Sequence, residues 1–86
     1  MEFEWDETKS EVCLKERGFD FAYVTKAFFD PNRVIEPDVR RDYGEERYRL
    51  RGYIGGRLYV VTYTLRHSAI RIISAHKANL REIKRH

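Results

Sequence analysis

The order of local signals predicts an α+β fold, an antiparallel sheet with helices packed on it. Three observations carry that expectation. Residues 7–29 hold apolar side chains at helical spacing between capping residues, and from residue 46 the apolar period changes to two, with Gly55-Gly56 between that alternating run and an apolar one. The chain has 86 residues, which is room for a single core that helices and strands must share. The expected element order is β-α-α-β-β-β-β-α, with two N-terminal helices, one C-terminal helix and residues 1–86 forming a single domain.

Each element has a local reason. Glu2–Trp5 reads as a short strand with Phe3 and Trp5 on one face. Asp6 is placed to cap a helix over residues 7–17, Glu7 suits the positive end of its dipole, and Gly18 ends it. Asp20 caps a second helix over residues 21–29, whose Phe21, Val24, Ala27 and Phe28 form one stripe. Asp30-Pro31-Asn32 stops that helix, and Arg33–Glu36 is short and extended before a polar loop around Pro37-Asp38 and Tyr43-Gly44. Glu46–Ile54 alternates, with Glu46, Tyr48, Leu50 and Ile54 on one side and Arg47, Arg49, Arg51 and Tyr53 on the other. Gly55-Gly56 makes a tight hairpin into Arg57–Leu65, which is apolar on both faces as a central strand should be. Arg66-His67-Ser68 turns into Ala69–Ala75, and His76–His86 reads as a basic helix anchored by Ala78, Leu80 and Ile83.

Composition narrows the function classes. Charged residues are 36% and apolar residues 42%, a globular composition with no apolar run near the length of a membrane span or a signal core. The lone Cys13 forms no internal disulfide and fits a reducing, cytoplasmic setting. The net charge of +3 hides an asymmetry: residues 1–43 carry 7 basic and 11 acidic side chains (−4), residues 44–86 carry 10 and 3 (+7). A cationic second half points to a polyanion or an acidic protein as partner.

Two groups of residues carry candidate chemistry. Arg47, Arg49 and Arg51 repeat at period two, about 7 Å apart along one sheet face. A core does not accept three unpaired arginines, so that face meets solvent or anions, and Arg66 and Arg71 from the neighbouring strands are expected to extend it. Ser74-Ala75-His76-Lys77 stands at the expected strand-to-helix junction, where His76 offers proton transfer near neutral pH and Lys77 a point charge. Arg47, Arg66 and Arg71 are expected to converge with Lys77 on one surface. His67, His76 and His86 match no metal-ligand spacing, and no cofactor motif is present. Walker, dinucleotide, nucleophile-elbow and HExxH patterns are absent as well.

Three segments in register resemble a known family. They are Phe3-Glu4-Trp5-Asp6-Glu7 with Gly18-Phe19-Asp20-Phe21 and Phe29-Asp30-Pro31; Gly44-Glu45-Glu46-Arg47-Tyr48; and Arg71-Ile72-Ile73-Ser74-Ala75-His76-Lys77-Ala78. Together they look like the BrnT toxins of bacterial type II toxin–antitoxin modules, across nearly the whole chain. The resemblance implies a RelE-like fold, metal-independent RNA cleavage that inhibits translation, and neutralisation by a BrnA-type antitoxin through which DNA is contacted only indirectly. By position, Glu46, Arg47, Arg71 and Lys77 match the family's motif residues, and Arg66 matches an arginine near the end of the preceding strand. His76 stands where the family pattern usually has arginine. The implied catalytic set is Arg71, Arg66, Glu46, His76 and Lys77, with Arg47, Arg49 and Arg51 on RNA phosphates. The competing readings are a non-catalytic nucleic-acid-binding module using the same arginines and a subunit that docks an acidic protein.

Overall fold

A computed structural model describes residues 1–86. Five strands, β1 (Glu2–Trp5), β2 (Val34–Pro37), β3 (Arg47–Ile54), β4 (Arg57–Arg66) and β5 (Ala69–Lys77), form one sheet in the order β1-β5-β4-β3-β2. The helices are α1 (Glu7–Arg17), α2 (Phe21–Val24), which continues as a 3₁₀ turn over Thr25–Phe29, and α3 (Leu80–Arg85). The α+β order is therefore the expected one. The sheet is mixed rather than wholly antiparallel, because β1 enters the edge parallel to β5. The connection through the two N-terminal helices and three strands makes that orientation possible, as a hairpin would not.

The local signals act as their chemistry requires. The Asp6 carboxylate accepts the Lys9 N–H at 3.1 Å, and Gly18 closes α1 with φ 86°. The Ser10 hydroxyl, buried under the helices, accepts the Phe21 N–H at 3.0 Å and so joins α1 to α2. Asp30 ends the 3₁₀ turn and reaches the sheet, accepting the Tyr53 N–H at 2.8 Å. Gly55 and Gly56 both adopt positive φ, which the two-residue hairpin between β3 and β4 demands.

One face of the sheet holds the main core. Leu50, Tyr59, Val61, Tyr63, Ile72 and Ala75 meet Phe21, Val24, Ala27 and Phe28 from the helical layer. An aromatic chain runs through it: Phe3 on Phe28 at 5.1 Å, Phe28 on Tyr63 at 5.1 Å, and Tyr63 stacked on Tyr48 at 5.5 Å. The opposite face is polar except under α3, where Leu58, Val60 and Ala78 make a small second cluster.

The C-terminal helix is shorter than the sequence suggests. β5 continues to Lys77, the Ala78 N–H donates to the Leu58 carbonyl at 2.9 Å, and Asn79 then starts α3 with a capping box to Glu82. Of the expected anchors only Ala78 is buried; Leu80 is 69% exposed and Ile83 41%. The helix is held instead by its charges.

Candidate active site

Alternation along the strands defines a polar face opposite the main core. From β3 it takes Arg47, Arg49 and Arg51, which register with Thr64, Thr62 and Val60 of β4. From β5 it takes Arg71, Ser74 and His76, which register with the same Thr64, Thr62 and Val60. Arg47 and Arg71 thus flank Thr64, with their Cα atoms about 10 Å apart across two strand spacings. Arg66, opposite Ala69, stands two residues beyond Thr64 on β4, toward the turn into β5.

A β-bulge decides who joins this face. The β4–β5 register runs Tyr63↔Ile72 and then Thr62↔Ser74, so Ile73 is an extra residue. In an unbroken strand, Arg71, Ile73, Ala75 and Lys77 would share one side. The extra residue inverts the alternation after position 73. His76 therefore joins the arginines, and Lys77 passes to the helical side, opposite Tyr59, in a recess with Phe19, Asp20 and Tyr23. The expected convergence of Lys77 with Arg47, Arg66 and Arg71 does not occur. Glu46 is also off the polar face: its carboxylate accepts the Tyr48 hydroxyl at 3.0 Å, on the side of the aromatic core.

Every arginine of the row except Arg66 has a carboxylate of its own. Arg71 pairs with Glu4 at 2.8 Å, because the parallel register sets Glu4 of β1 beside it. Arg47 pairs with Glu45 at 3.0 Å, Arg49 with Glu82 at 2.8 Å and Arg51 with Glu36 at 2.8 Å. Glu82 also meets His76 Nε2 at 3.1 Å and 3.2 Å from its two oxygens. Burial alone would raise the Glu82 pKa; the Asn79 N–H, His76 and Arg49 outweigh it and hold the carboxyl below its usual range. For Glu36, the hydrogen bond and charge of Arg51 do the same.

These pairs divide the face into two zones. Arg49, Arg51 and His76 lie beneath α3, tied to it through Glu82 and, via Glu36, through Arg85 at 3.7 Å. Arg51 is only 9% exposed and its Nε is buried without a partner. Arg47, Arg66 and Arg71 have no polar contact with α3; Arg66 is exposed and makes no ion pair. His76 is also four β4 residues from the Arg71 row, about 13 Å along the strand. The open zone can bind anions, and its arginines can do so two-pronged.

Beside Arg47 the loop between β2 and β3 frames a cavity of about 480 Å³ lined by Asp38, Asp42, Tyr43, Glu45, Glu46 and Tyr48 among others. Its floor is Asp38, whose side chain is fully buried and gripped by Arg40 at 2.7 Å and 2.8 Å. The Arg40 hydrogen bonds hold the Asp38 carboxyl down at about 2 against the opposing effect of burial. The Arg47 guanidinium sits 4.0 Å over the Tyr43 ring.

With this geometry in place the family can be decided. The model of the family described as "Ribonuclease toxin, BrnT, of type II toxin-antitoxin system" matches residues 5–82. The chain belongs to the BrnT family. It is a ribonuclease toxin of a type II toxin–antitoxin system, so it has RNA as substrate and a cognate antitoxin as partner. No curated protein matches this BrnT chain. None of its helices is long and apolar enough to cross a membrane.

Sequence reasoning missed the partners of the BrnT arginines. Glu4 was legible as the residue alternating out from Phe3 and Trp5, but its meeting with Arg71 needs the parallel pairing. Glu82 had a signal too, standing three residues after Asn79 as a capping box requires. Tyr43 and Tyr48 are legible as two of five tyrosines, with Tyr53, Tyr59 and Tyr63, of which one or two could stack on a base, but the cavity these two line had no signal.

Proposed function

We propose that this BrnT toxin cleaves single-stranded RNA on the open zone of its polar face, with Arg71, Arg66 and Arg47 as the residues that hold the scissile region and no metal ion required. The observation that carries this reading is the pairing of Arg47 and Arg71 across Thr64, with Arg66 beside them, clear of α3. In the reaction the 2′-hydroxyl gives its proton to water as its oxygen attacks phosphorus, the O2′–P bond forms, the P–O5′ bond breaks, and the leaving 5′-oxygen takes a proton from water. The products are a 2′,3′-cyclic phosphate and a 5′-hydroxyl. The added negative charge of the phosphorane is what arginine stabilises, and such donors are worth about 10²–10³ in rate. Glu4 occupies Arg71 in the free toxin and gives way to phosphate oxygens when RNA binds, whereas Arg47 keeps Glu45 on its Nε and offers RNA its terminal nitrogens.

His76, under α3 and about 13 Å along the strand from the Arg71 row, holds the helix through Glu82 rather than acting on the same phosphate. Lys77 and Glu46 stand outside this zone. A BrnA-type antitoxin is the proposed neutralising partner, acting on residues 1–86 as one functional unit in the cytoplasm and linking the toxin to DNA only through itself.

The test is incubation of purified toxin with RNA in EDTA beside an Arg71→Ala variant. Cleavage by the wild type and its near loss in the variant are expected. Cleavage only on adding a divalent ion, or an active Arg71→Ala, refutes the reading. Folded wild-type protein that binds RNA and leaves it intact in either condition supports a non-catalytic binding role instead.

A further inference from the structure

Glu46, the residue before β3, lines the cavity framed by the β2–β3 loop next to Arg47. We propose that this cavity is a nucleobase subsite in which Glu46 reads the edge of a guanine, an inference that rests on RNA lying along Arg47 and Arg71 as described above.

Size and wall chemistry support a base. The cavity of about 480 Å³ falls in the range of roughly 300–1,000 Å³ that small-molecule sites occupy. Tyr43 and Tyr48 supply aromatic surface, and the Arg47–Tyr43 contact at 4.0 Å is a stack that an inserted base continues. Proteins that read single-stranded RNA use this combination: bases splayed onto aromatic or guanidinium planes, with hydrogen bonds to their edges. The loop frame is tied at its base. Asp38 is locked to Arg40, and its N–H donates to the Arg47 carbonyl at 2.7 Å, so the cavity floor and the arginine are one unit.

The charge of the walls selects the ligand. Asp42, Glu45 and Glu46 line the cavity against Arg41 and Arg47. Glu45 is spent on Arg47 at 3.0 Å, and Asp42 accepts the Gly44 N–H at 2.9 Å. Glu46 uses Oε2 for the Tyr48 hydroxyl at 3.0 Å, and Oε1 has no hydrogen bond in the protein. A phosphate would be repelled here. A base presenting two adjacent donors is favoured, and guanine does so with N1–H and its exocyclic amino group, one received by Oε1 and the other by the second lone pair of Oε2. Adenine and cytosine set an acceptor nitrogen beside their amino group, and uracil flanks its single N–H with two carbonyls. Guanine is the match.

The experiment compares wild type, Glu46→Gln and Arg71→Ala on one mixed-sequence single-stranded RNA and on the same RNA with inosine in place of guanine. Cut sites are mapped from the ends produced, and circular dichroism confirms folding. The wild type is expected to cut at guanine-adjacent positions, and inosine, which lacks the amino group, to slow those cuts by roughly tenfold. Glu46→Gln should flatten both the preference and the inosine effect. A wild type indifferent to base or to inosine overturns the subsite while leaving the arginine reading intact, and needs no variant. So does a Glu46→Gln that keeps the preference, including one that only weakens inhibition by the antitoxin, which would assign the cavity to that protein. Arg71→Ala cutting at wild-type rate, or a wild type that leaves free RNA uncut, overturns the arginine reading beneath it.

Discussion

At the residue scale, position and charge separate side chains that look equivalent in the sequence. Arg71 is 28% exposed at its side chain and held by one exchangeable carboxylate, whereas His76 is fastened to Glu82 under α3. Arg71→Ala is therefore expected to lower the cleavage rate by about 10²–10³, while His76→Arg, which keeps a nitrogen donor facing Glu82, retains activity. Single-turnover rates of folded variants on one RNA check this, and a dead His76→Arg beside a normal Arg71→Ala inverts the assignment. Asp38 makes a different kind of prediction. Its carboxyl sits at about 2 in the folded toxin against an ordinary 3.8, so the folded state binds its proton more weakly than the unfolded state. The stabilisation is thus complete above pH 3.8 and is lost as pH falls toward 2. Its size is about 1–2 kcal/mol, since Arg40 is largely solvated and screened. Asp38→Asn should lower the urea midpoint at pH 6, and the deficit should shrink as both proteins are taken toward pH 2. A constant deficit over that range would sink the assignment.

At the element scale, β3 and the 3₁₀ turn approach closely enough to require a glycine at position 52. A Cβ on Gly52 would stand 2.5 Å from the Ala27 carbonyl oxygen, backbone that has nowhere to retreat from the core. Gly52→Ala is expected to cost about 1–3 kcal/mol, read as a lower thermal midpoint with the dichroism spectrum unchanged. Helix α1 was legible to its ends, since Asp6 and Gly18 are chemical punctuation that acts within a few residues. The hairpin at Gly55-Gly56 and the burial of β4 were legible for the same reason, each following from a local pattern. The bulge at Ile73 was not, because an inserted residue leaves an apolar run looking continuous and shows itself only against a partner strand. That one residue moved Lys77 away from the arginines and brought His76 to them. The shortened α3 has a related cause: Ala78 pairs with Leu58, a contact no window of sequence contains. Candidate arginines were thus found by period, and their grouping was left to register.

At the scale of the whole molecule, the charge asymmetry resolves into a geometric one. The acidic first half wraps its carboxylates around the cationic second half: Glu4 and Glu36 each take an arginine from the polar face. What remains available to a polyanion without moving α3 is Arg47, Arg66 and Arg71. If α3 lifts and phosphate displaces Glu36 from Arg51, Arg49 and Arg51 join them and Glu82 leaves. These two states bind different numbers of phosphates, and salt dependence counts them. For single strands the slope of log K against log salt is about −0.7 per phosphate neutralised, so three arginines give a slope of about −2 and five give about −3.5. With α3 in place the shallower slope is expected, measured by fluorescence anisotropy of a labelled, cleavage-resistant RNA over a salt series. Arg66→Ala should reduce it by about 0.7. Arg51→Ala should leave it unchanged, because that guanidinium is nearly buried and already spent on Glu36. A slope near −3.5 that both substitutions reduce equally would mean that RNA binding displaces the C-terminal helix and engages the whole row.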